Sequence, residues 1–304
     1  MRIAFAGTPD VAVPSLQALV DAGHDIVAVI TRPDAPAGRG RVLTPSPIAE
    51  FAHEHGLPLL KPDRLVDISE ELRALAPDCI PIVAYGGLVP PALLEVPTYG
   101  WINLHFSLLP AWRGAAPVQR AIMAGDDITG ATTFRLDAGL DTGPVFGTLT
   151  RSIAPDDTAG MVLSALAADG AQLLAHTIAQ LPNLRPVPQG DDGVSYAGKL
   201  AKADAQVSWS RPALVIDRQI RGCTPEPGAW TAIRGVRLGL GPVRLRPDVT
   251  HLDAGALQFD DAVLVGSGSH AVQLGTVKPE GKGWMDATAW ARGLREQPEH
   301  FDVD

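Results

Sequence analysis

The sequence predicts an α/β protein in two parts, a Rossmann-like domain with a parallel sheet followed by a small β-barrel domain. In the first part, continuous apolar runs alternate with helical segments, which is typical of parallel strands buried on both faces. A segment rich in Pro, Gly and Asp then follows at 182–193, as in a linker. Beyond it the apolar runs are short and separated by turns, a pattern that favours a small β-barrel.

The predicted strands of the first domain are apolar along their whole length. They are RIAFAG (2–7), DIVAVIT (25–31), CIPIVAYG (79–86) and WINLHF (101–106). Helical periodicity lies between and after them, at 11–24, 47–56 and 157–181, although Gly160 and Gly170 weaken the last segment. We expect the strands to be joined as right-handed βαβ units.

The second domain is expected to consist mainly of short strands. These are the runs AQVSW, AWTAIRG, VRLGLG, AVLVGSG and AVQLGTV, and one helix, PALVIDRQIRG (212–222), interrupts them. The predicted organisation is therefore one domain over 1–182, a linker over 183–205 and a β-rich domain over 206–304.

Composition and charge limit the function classes. The chain has 304 residues and a net charge of −9, which argues against non-specific binding of nucleic acid. The charge is uneven, however, because residues 206–250 carry seven arginines against three acids, a net of +4. Two widely separated cysteines and no apolar run near the ~20 residues of a membrane helix predict a cytoplasmic protein without metal clusters.

A polar pair ends the last predicted strand of the first domain. Asn103 and His105 are two residues apart, so both side chains point to the same face of the strand. Ligands of open α/β sheets bind beyond the carboxyl ends of the strands, where this pair is predicted to lie. A carboxylate, Asp141, follows in the Gly-rich stretch GLDTG (139–143).

These three groups suit the attack of an amine on a carbonyl. An amide N–H stabilises an oxyanion, and a neutral imidazole accepts a proton near pH 7. A carboxylate hydrogen-bonded to the ring is expected to fix its tautomer and raise its pKa. Taken alone, His105 is more typical of a satisfied core histidine, Asn103 also fits a strand-end cap, and Asp141 also fits a turn residue. FAGTPD (5–10) is excluded as a dinucleotide loop, because it has one glycine where that motif has three.

Several motifs resemble the methionyl-tRNA formyltransferase family. They are FAGTPD, RPDAPAGRGRVLTPSPI (32–48), SLLPAWRGAAPVQ (107–119), GLDTG, KLAKADAQVSWS (199–210), RQIRGCTPEPGAW (218–230) and PEGKGWMDATAWARGLR (279–295). The resemblance covers nearly the whole chain. It implies an OB-like barrel for the second domain.

The resemblance implies transfer of a formyl group from 10-formyltetrahydrofolate to the α-amino group of methionyl initiator tRNA, without a metal. The family's catalytic positions correspond to Asn103, His105 and Asp141, as oxyanion donor, proton carrier and orienting carboxylate. Its folate-contacting segment corresponds to Ser107, Leu108, Leu109 and Pro110.

For the tRNA, the resemblance points to the loop 32–48 and to the linker. Arg39 and Arg41 stand in the loop, and Lys199 and Lys202 stand in the linker. Beyond the linker, further candidates for phosphate contacts are Arg211, Arg218, Arg221, Arg234 and Arg237. Taken alone, each of these is more typical of an ordinary surface charge.

The sequence departs from the family pattern at Phe106, Ala111 and Glu226, which puts fine affinities in question. Two other functions stay open at this point. One is formylation of a small amine, such as a nucleotide sugar or glycinamide ribonucleotide, and the other is tRNA binding without catalysis. No long apolar heptad is present, and a monomer is expected.

Overall fold

The computed structural model describes residues 1–37, 40, 42–294 and 296–302. Strands occur along the whole chain: β1 (Arg2–Gly7), β2 (Asp25–Ile30), β3 (Ala35–Ala37), β4 (Val42–Thr44), β5 (Leu59–Leu60), β6 (Ile80–Val83), β7 (Trp101–His105), β8 (Arg113–Gly114), β9 (Ile128–Arg135), β10 (Val145–Ser152), β11 (Tyr196–Ala197), β12 (Trp230–Ile233), β13 (Val236–Leu240), β14 (Val243–Arg246), β15 (Leu257–Phe259), β16 (Val263–Val265), β17 (Ala271–Leu274), β18 (Thr276–Pro279) and β19 (Met285–Asp286). The α-helices are α1 (Val13–Asp21), α2 (Pro47–Glu54), α3 (Ser69–Leu75), α4 (Pro91–Leu94), α5 (Pro117–Ala124), α6 (Ala159–Gln180), α7 (Ala213–Gly222) and α8 (Ala287–Arg292).

A seven-stranded sheet in the order β10-β9-β7-β6-β1-β2-β5 is the centre of the N-terminal fold. From β5 to β7 every pair of neighbours is parallel, which confirms the predicted Rossmann-like parallel sheet. Beyond β7 the direction changes, because β9 pairs antiparallel to it. The residue positions of Asn103 and His105 thus lie in a strand with neighbours on both sides.

Apolar runs form the central strands because both faces of the sheet are covered. In β1, Ile3, Ala4, Phe5 and Ala6 are completely buried. The strand β9 is different, since its buried side chains include threonines. The hydroxyls of Thr133 and of Thr177 in α6 share a hydrogen bond of 2.9 Å, so each has a partner inside the protein.

The helix α6 is long and apolar, and by length and composition alone it would suffice to cross a membrane. Its buried side chains, among them Leu166, Leu174 and Ile178, recur at helical spacing, as in a core helix. At Gly170 a Cβ atom would stand 3.1 Å from the Leu104 side chain of β7. Glycine within the helix therefore permits close approach to the sheet.

The C-terminal part has two four-stranded sheets, in the orders β12-β13-β18-β19 and β14-β17-β16-β15. Four of the five predicted runs contain strands. The exception is AQVSW, where Gln206 makes only an isolated bridge with Trp230. Its tryptophan, Trp209, is buried and stacks on Phe301 at 5.3 Å between ring centroids, so this run belongs to the core without joining a sheet.

The chain forms two compact units. The first consists of Met1–Gly114, Ile128–Arg151 and Leu163–Tyr196, and the second of Ala115–Asp127, Ser152–Val162 and Ala197–Asp304. The helix α5 therefore belongs to the second unit although its sequence lies inside the N-terminal part. The predicted domain boundaries at 182 and 206 stay a prediction.

Candidate active site

The strand β7 presents Asn103 and His105 on one face, near its carboxyl end. Asn103 lies opposite Ile82 of β6 and Phe134 of β9, so the strand on each side fixes its backbone. Its side chain is half-buried, and among the described residues no group hydrogen-bonds to its amide. The amide N–H is therefore free to donate to a carbonyl oxygen.

The ring of His105 is buried and held by the backbone. Its Nε2 donates to the carbonyl oxygen of Trp112 at 2.9 Å, since a carbonyl can only accept. The proton of the neutral ring therefore lies on Nε2, and Nδ1 is the atom that can accept another. Nδ1 faces Asp141, whose Oδ2 lies 3.8 Å away.

Asp141 is held by a second backbone group. Its Oδ2 accepts a hydrogen bond of 2.7 Å from the N–H of Gly114. Its own backbone has φ +52°, which is uncommon for a residue other than glycine. Two residues on, Gly143 approaches the chain so closely that a Cβ atom would meet the Arg135 carbonyl oxygen. The GLDTG loop thus delivers one carboxylate in a defined position.

Burial lowers the pKa of His105, although the negative charge of Asp141 and the hydrogen bond to Trp112 act in the opposite direction. Asp141 thus raises the pKa of His105 as expected, but burial outweighs it. The expectation that Asp141 hydrogen-bonds to the ring and fixes its tautomer is wrong. The distance of 3.8 Å exceeds a hydrogen bond, and the carbonyl of Trp112 fixes the tautomer instead. The ring is consequently neutral, as a general base must be.

The segment Ser107–Pro110 follows β7 as a turn pinned to β9. Ser107 donates from Oγ to the Ala111 carbonyl oxygen at 2.6 Å. Thr132 donates to the Ser107 carbonyl oxygen at 2.7 Å and accepts from the Leu109 N–H at 3.2 Å. The peptide before Pro110 is cis. The three hydrogen bonds fix the segment beside the polar pair, and its contact with folate stays a prediction.

Sequence reasoning assigned no role to three residues that shape this site. Thr132 holds the turn, and Arg113 and Gln189 hydrogen-bond to each other beside the Asp141 loop. Gln189 lies in the stretch predicted to be a linker. Its sequence neighbours Pro188 and Gly190 give no signal of a role, because the role depends on a contact with Asp141, 48 residues away in the chain.

The residues predicted to bind tRNA differ in what the structure says of them. Arg39 and Arg41 lie outside the described residues. Lys199 and Lys202 are exposed, and neither is within ion-pair distance of a carboxylate among the residues described. The prediction that Arg221 contacts a tRNA phosphate is wrong, because its side chain is buried and donates to Asp217 Oδ2 at 2.9 Å. Its guanidinium supports the packing of the second unit and is not a surface contact.

No group of three or more His, Cys, Asp or Glu side chains that could hold a metal occurs within the described ranges. A free amide donor, a neutral imidazole with an open Nδ1 and a carboxylate facing that atom can together promote addition of an amine to a carbonyl.

Comparisons with known proteins agree with this chemistry. Residues 1–178 match the family model described as formyl transferase, and residues 199–295 match its C-terminal domain. A methionyl-tRNA formyltransferase of Paenarthrobacter aurescens is 58% identical over 297 residues, with 97% of each chain covered. Its counterpart in Pseudarthrobacter chlorophenolicus is 60% identical over 298 residues, again with 97% of each chain covered.

Solved structures show the same fold at low identity. An N-formyltransferase of Helicobacter canadensis, in complex with folinic acid and dTDP-3-aminofucose, superposes with a TM-score of 0.70 at 19% identity, covering 90% of this chain and 97% of its own. A phosphoribosylglycinamide formyltransferase of Bacillus halodurans has a TM-score of 0.52 at 24% identity, and covers 60% of this chain and 96% of its own. With the family models and the near-full-length relatives, it follows that the chain belongs to the formyl transferase family, in the group of the methionyl-tRNA formyltransferases.

Proposed function

We propose that the chain transfers the formyl group of 10-formyltetrahydrofolate to the α-amino group of methionyl initiator tRNA, giving formylmethionyl-tRNA for translation initiation. One observation carries the mechanism. The free amide of Asn103 lies two residues from a buried imidazole whose open nitrogen faces a carboxylate at 3.8 Å. The near-full-length identity to methionyl-tRNA formyltransferases supports this acceptor.

Asn103 acts on the formyl oxygen. As the amine adds to the formyl carbon, that oxygen gains negative charge, and the Asn103 N–H donates to it. One such donor is worth ~3 kcal/mol in a transition state. The absence of a competing partner among the described residues fits this role, because no internal hydrogen bond has to be broken first.

His105 handles the proton. Its Nε2 is engaged with Trp112, so Nδ1 accepts the proton that the attacking amine loses. The same proton then moves to the folate nitrogen as the carbon–nitrogen bond to the donor breaks. Asp141 stabilises the imidazolium that exists between these two transfers, because its carboxylate faces the protonated atom.

The folate donor is proposed to lie against Ser107, Leu108, Leu109 and Pro110. The turn is fixed to β9 by Thr132, so it offers a preformed surface next to Asn103. The hydroxyl of Ser107 already donates to Ala111, and any contact from this residue would use its remaining acceptor capacity.

The tRNA is proposed to contact the loop 32–48 through Arg39 and Arg41, the linker through Lys199 and Lys202, and the second domain through cations such as Arg237 and Lys278. Lys199, Lys202, Arg237 and Lys278 have no carboxylate partner within ion-pair distance among the described residues. Arg237 also lies over the ring of Trp230, at 4.7 Å from its centroid. Unpaired cations on a protein of net charge −9 fit a polyanionic partner.

The finer organisation is also a proposal. The domain over 206–304 is proposed to be an OB-like barrel, supported by its two antiparallel four-stranded sheets, with a catalytic domain over 1–182 and a linker over 183–205. A monomer in the cytoplasm is the form proposed, since charged tRNA and reduced folate meet there.

The test is a formylation assay with purified protein, 10-formyltetrahydrofolate and methionyl initiator tRNA. We expect formylmethionyl-tRNA, and much slower reaction with methionyl elongator tRNA. Reaction with a nucleotide-sugar amine or glycinamide ribonucleotide, and none with the initiator tRNA, would show that the protein formylates a small amine instead. Binding of tRNA without binding of reduced folate in calorimetry would leave only a tRNA-binding protein.

A further inference from the structure

We propose that Gln189 is a positioning residue for formyl transfer, because its side-chain amide joins the Asp141 loop to the segment that holds His105. This inference rests on the proposed function. It assigns a positioning role to a residue in a stretch whose sequence is typical of a linker.

The amide of Gln189 uses all of its hydrogen-bonding groups at the site. Its Nε2 donates to the carbonyl oxygens of Asp141 and Gly143, both at 2.8 Å. Its Oε1 accepts from Arg113, at 3.2 Å from Nε and at 2.7 Å from Nη2. A guanidinium only donates and carbonyls only accept, so the orientation of the amide is unambiguous.

Arg113 is the central residue of the segment Trp112–Gly114, which the Gln189 amide joins to the Asp141 loop. Its neighbour Trp112 accepts the His105 Nε2–H, and its other neighbour, Gly114, donates to Asp141. Arg113 itself is buried, and within the described ranges no carboxylate lies at ion-pair distance from it. Gln189 is therefore the side chain that anchors this guanidinium.

These contacts form a path that is closed except for the 3.8 Å gap between His105 Nδ1 and Asp141 Oδ2. It runs from His105 through Trp112 and Arg113 to Gln189, and returns through Asp141. The separation of 3.8 Å between His105 Nδ1 and Asp141 Oδ2 depends on both ends of this path. Asp141 also has a backbone φ of +52°, so a loop without the Gln189 donors would relax toward more favourable angles and carry the carboxylate away.

Two substitutions separate the hydrogen bonds that Gln189 donates to the Asp141 loop from those that it accepts from Arg113. Gln189→Glu keeps an acceptor for Arg113, but a carboxylate cannot donate to the carbonyls of Asp141 and Gly143. Gln189→Met has similar length and loses the bonds on both sides without adding a charge. Gln172→Met is the matched control, because Gln172 lies exposed on α6 in the same compact unit.

The experiment measures single-turnover formylation, KM for tRNA, thermal stability and the titration of His105 by ¹⁵N NMR for each variant. We expect both Gln189 variants to lose about tenfold or more in kcat, because a displacement near 1 Å in a catalytic group costs up to about 10²-fold. KM for tRNA should stay within about twofold, as for a group that does not touch this substrate. Gln172→Met should behave as the wild type.

The NMR titration distinguishes positioning from ordinary support of the fold. Asp141 is the charged group that faces the ring; Thr132 and Phe134 of β9 are neutral, and the Arg113 guanidinium is turned to Gln189. In Gln189→Met the carboxylate withdraws, so the pKa of His105 should fall below its wild-type value. An unchanged titration, or kcat within twofold of wild type in a folded variant, would overturn the inference.

If Gln189→Met does not fold, Gln189→Glu provides the test, because Arg113 keeps a hydrogen-bond acceptor in that variant. Normal kcat in that variant would overturn the inference too. A wild-type protein without formylation activity would end the proposed function. The His105 titration would then still show whether Gln189 sets the distance to Asp141.

Discussion

The proposed catalytic cluster and the proposed tRNA-binding surface of the second unit use polar residues in opposite ways. At the cluster, His105 and Asp141 are buried and each is held by a backbone group, Trp112 O and Gly114 N–H. On the second unit, Lys199 and Lys202 are exposed and unpaired among the described residues. In the proposed function, the first site depends on position, where displacements of about 1 Å matter, whereas the second depends on charge density.

This difference predicts how variants divide. Changes in the cluster should reduce the rate of formyl transfer and leave tRNA affinity intact. Changes on the surface should reduce tRNA affinity in a salt-dependent way and leave the chemical step intact. Variants of the two regions test that division.

The largest effect is expected for His105→Ala. Without an acceptor at Nδ1 the proton of the amine has no route, and we expect kcat to fall about 10³-fold. Filter binding of the tRNA should show an unchanged Kd. His176→Ala, an exposed histidine of α6, is the control and should be as active as wild type. Near-normal single-turnover rates for His105→Ala would remove this ring from the chemistry.

Asn103→Ala is expected to follow, with a loss of about 10²-fold in kcat, the usual effect of one missing oxyanion donor. Asn103→Asp should be at least as slow, because a carboxylate repels the developing charge. Rapid-quench assays at saturating folate measure the step. If Asn103→Asp matched the wild type, the oxyanion role would be excluded.

Asp141→Asn is expected to lower kcat about tenfold, equivalent to ~1.4 kcal/mol on the barrier. The amide oxygen still accepts from Gly114, so the loop is retained while the charge is lost. Burial already lowers the pKa of His105 and Asp141 raises it, so removing this charge lowers the pKa further. The acidic limb of the kcat/KM profile should therefore move to lower pH. A shift toward higher pH would contradict the proposed pairing.

The strands were predictable where burial and apolar sequence coincide, as in β1, β2, β6 and β7. The strand β9 was not predicted, since its buried positions Thr129, Thr132 and Thr133 look polar in sequence. The hydroxyls of Thr132 and Thr133 are buried because they find hydrogen-bond partners inside the protein. The helix α5 was also missed, although Pro117 at its start and Gly125 after its end are ordinary boundary signals.

The convergence of Asn103, His105 and Asp141 was predictable, because ligands of open α/β sheets bind beyond the carboxyl ends of the strands. Their catalytic roles stay a prediction. The partners that orient these residues were not predictable. The Trp112 carbonyl and the Gly114 N–H belong to backbone, which carries no sequence signal, and Gln189 reaches Asp141 from 48 positions away. The direction of the His105 pKa shift was missed for the same reason, since it depends on burial.

The smallest effect is expected on the cationic surface. Lys202→Ala removes one charge but keeps the carbonyl oxygen that accepts from Trp230 Nε1 at 2.8 Å, so the local fold is preserved. We expect KM for tRNA to rise about threefold, and the slope of log Kd against log salt to fall by about 1, as for one lost phosphate contact. Arg246→Ala is the matched control, because Arg246 is paired with Asp248 at 2.8 Å and its charge is already compensated. Equal salt slopes for both variants would mean that the unpaired cations are not what the tRNA contacts, and the division between a positioned and a charge-driven site would fail on that side.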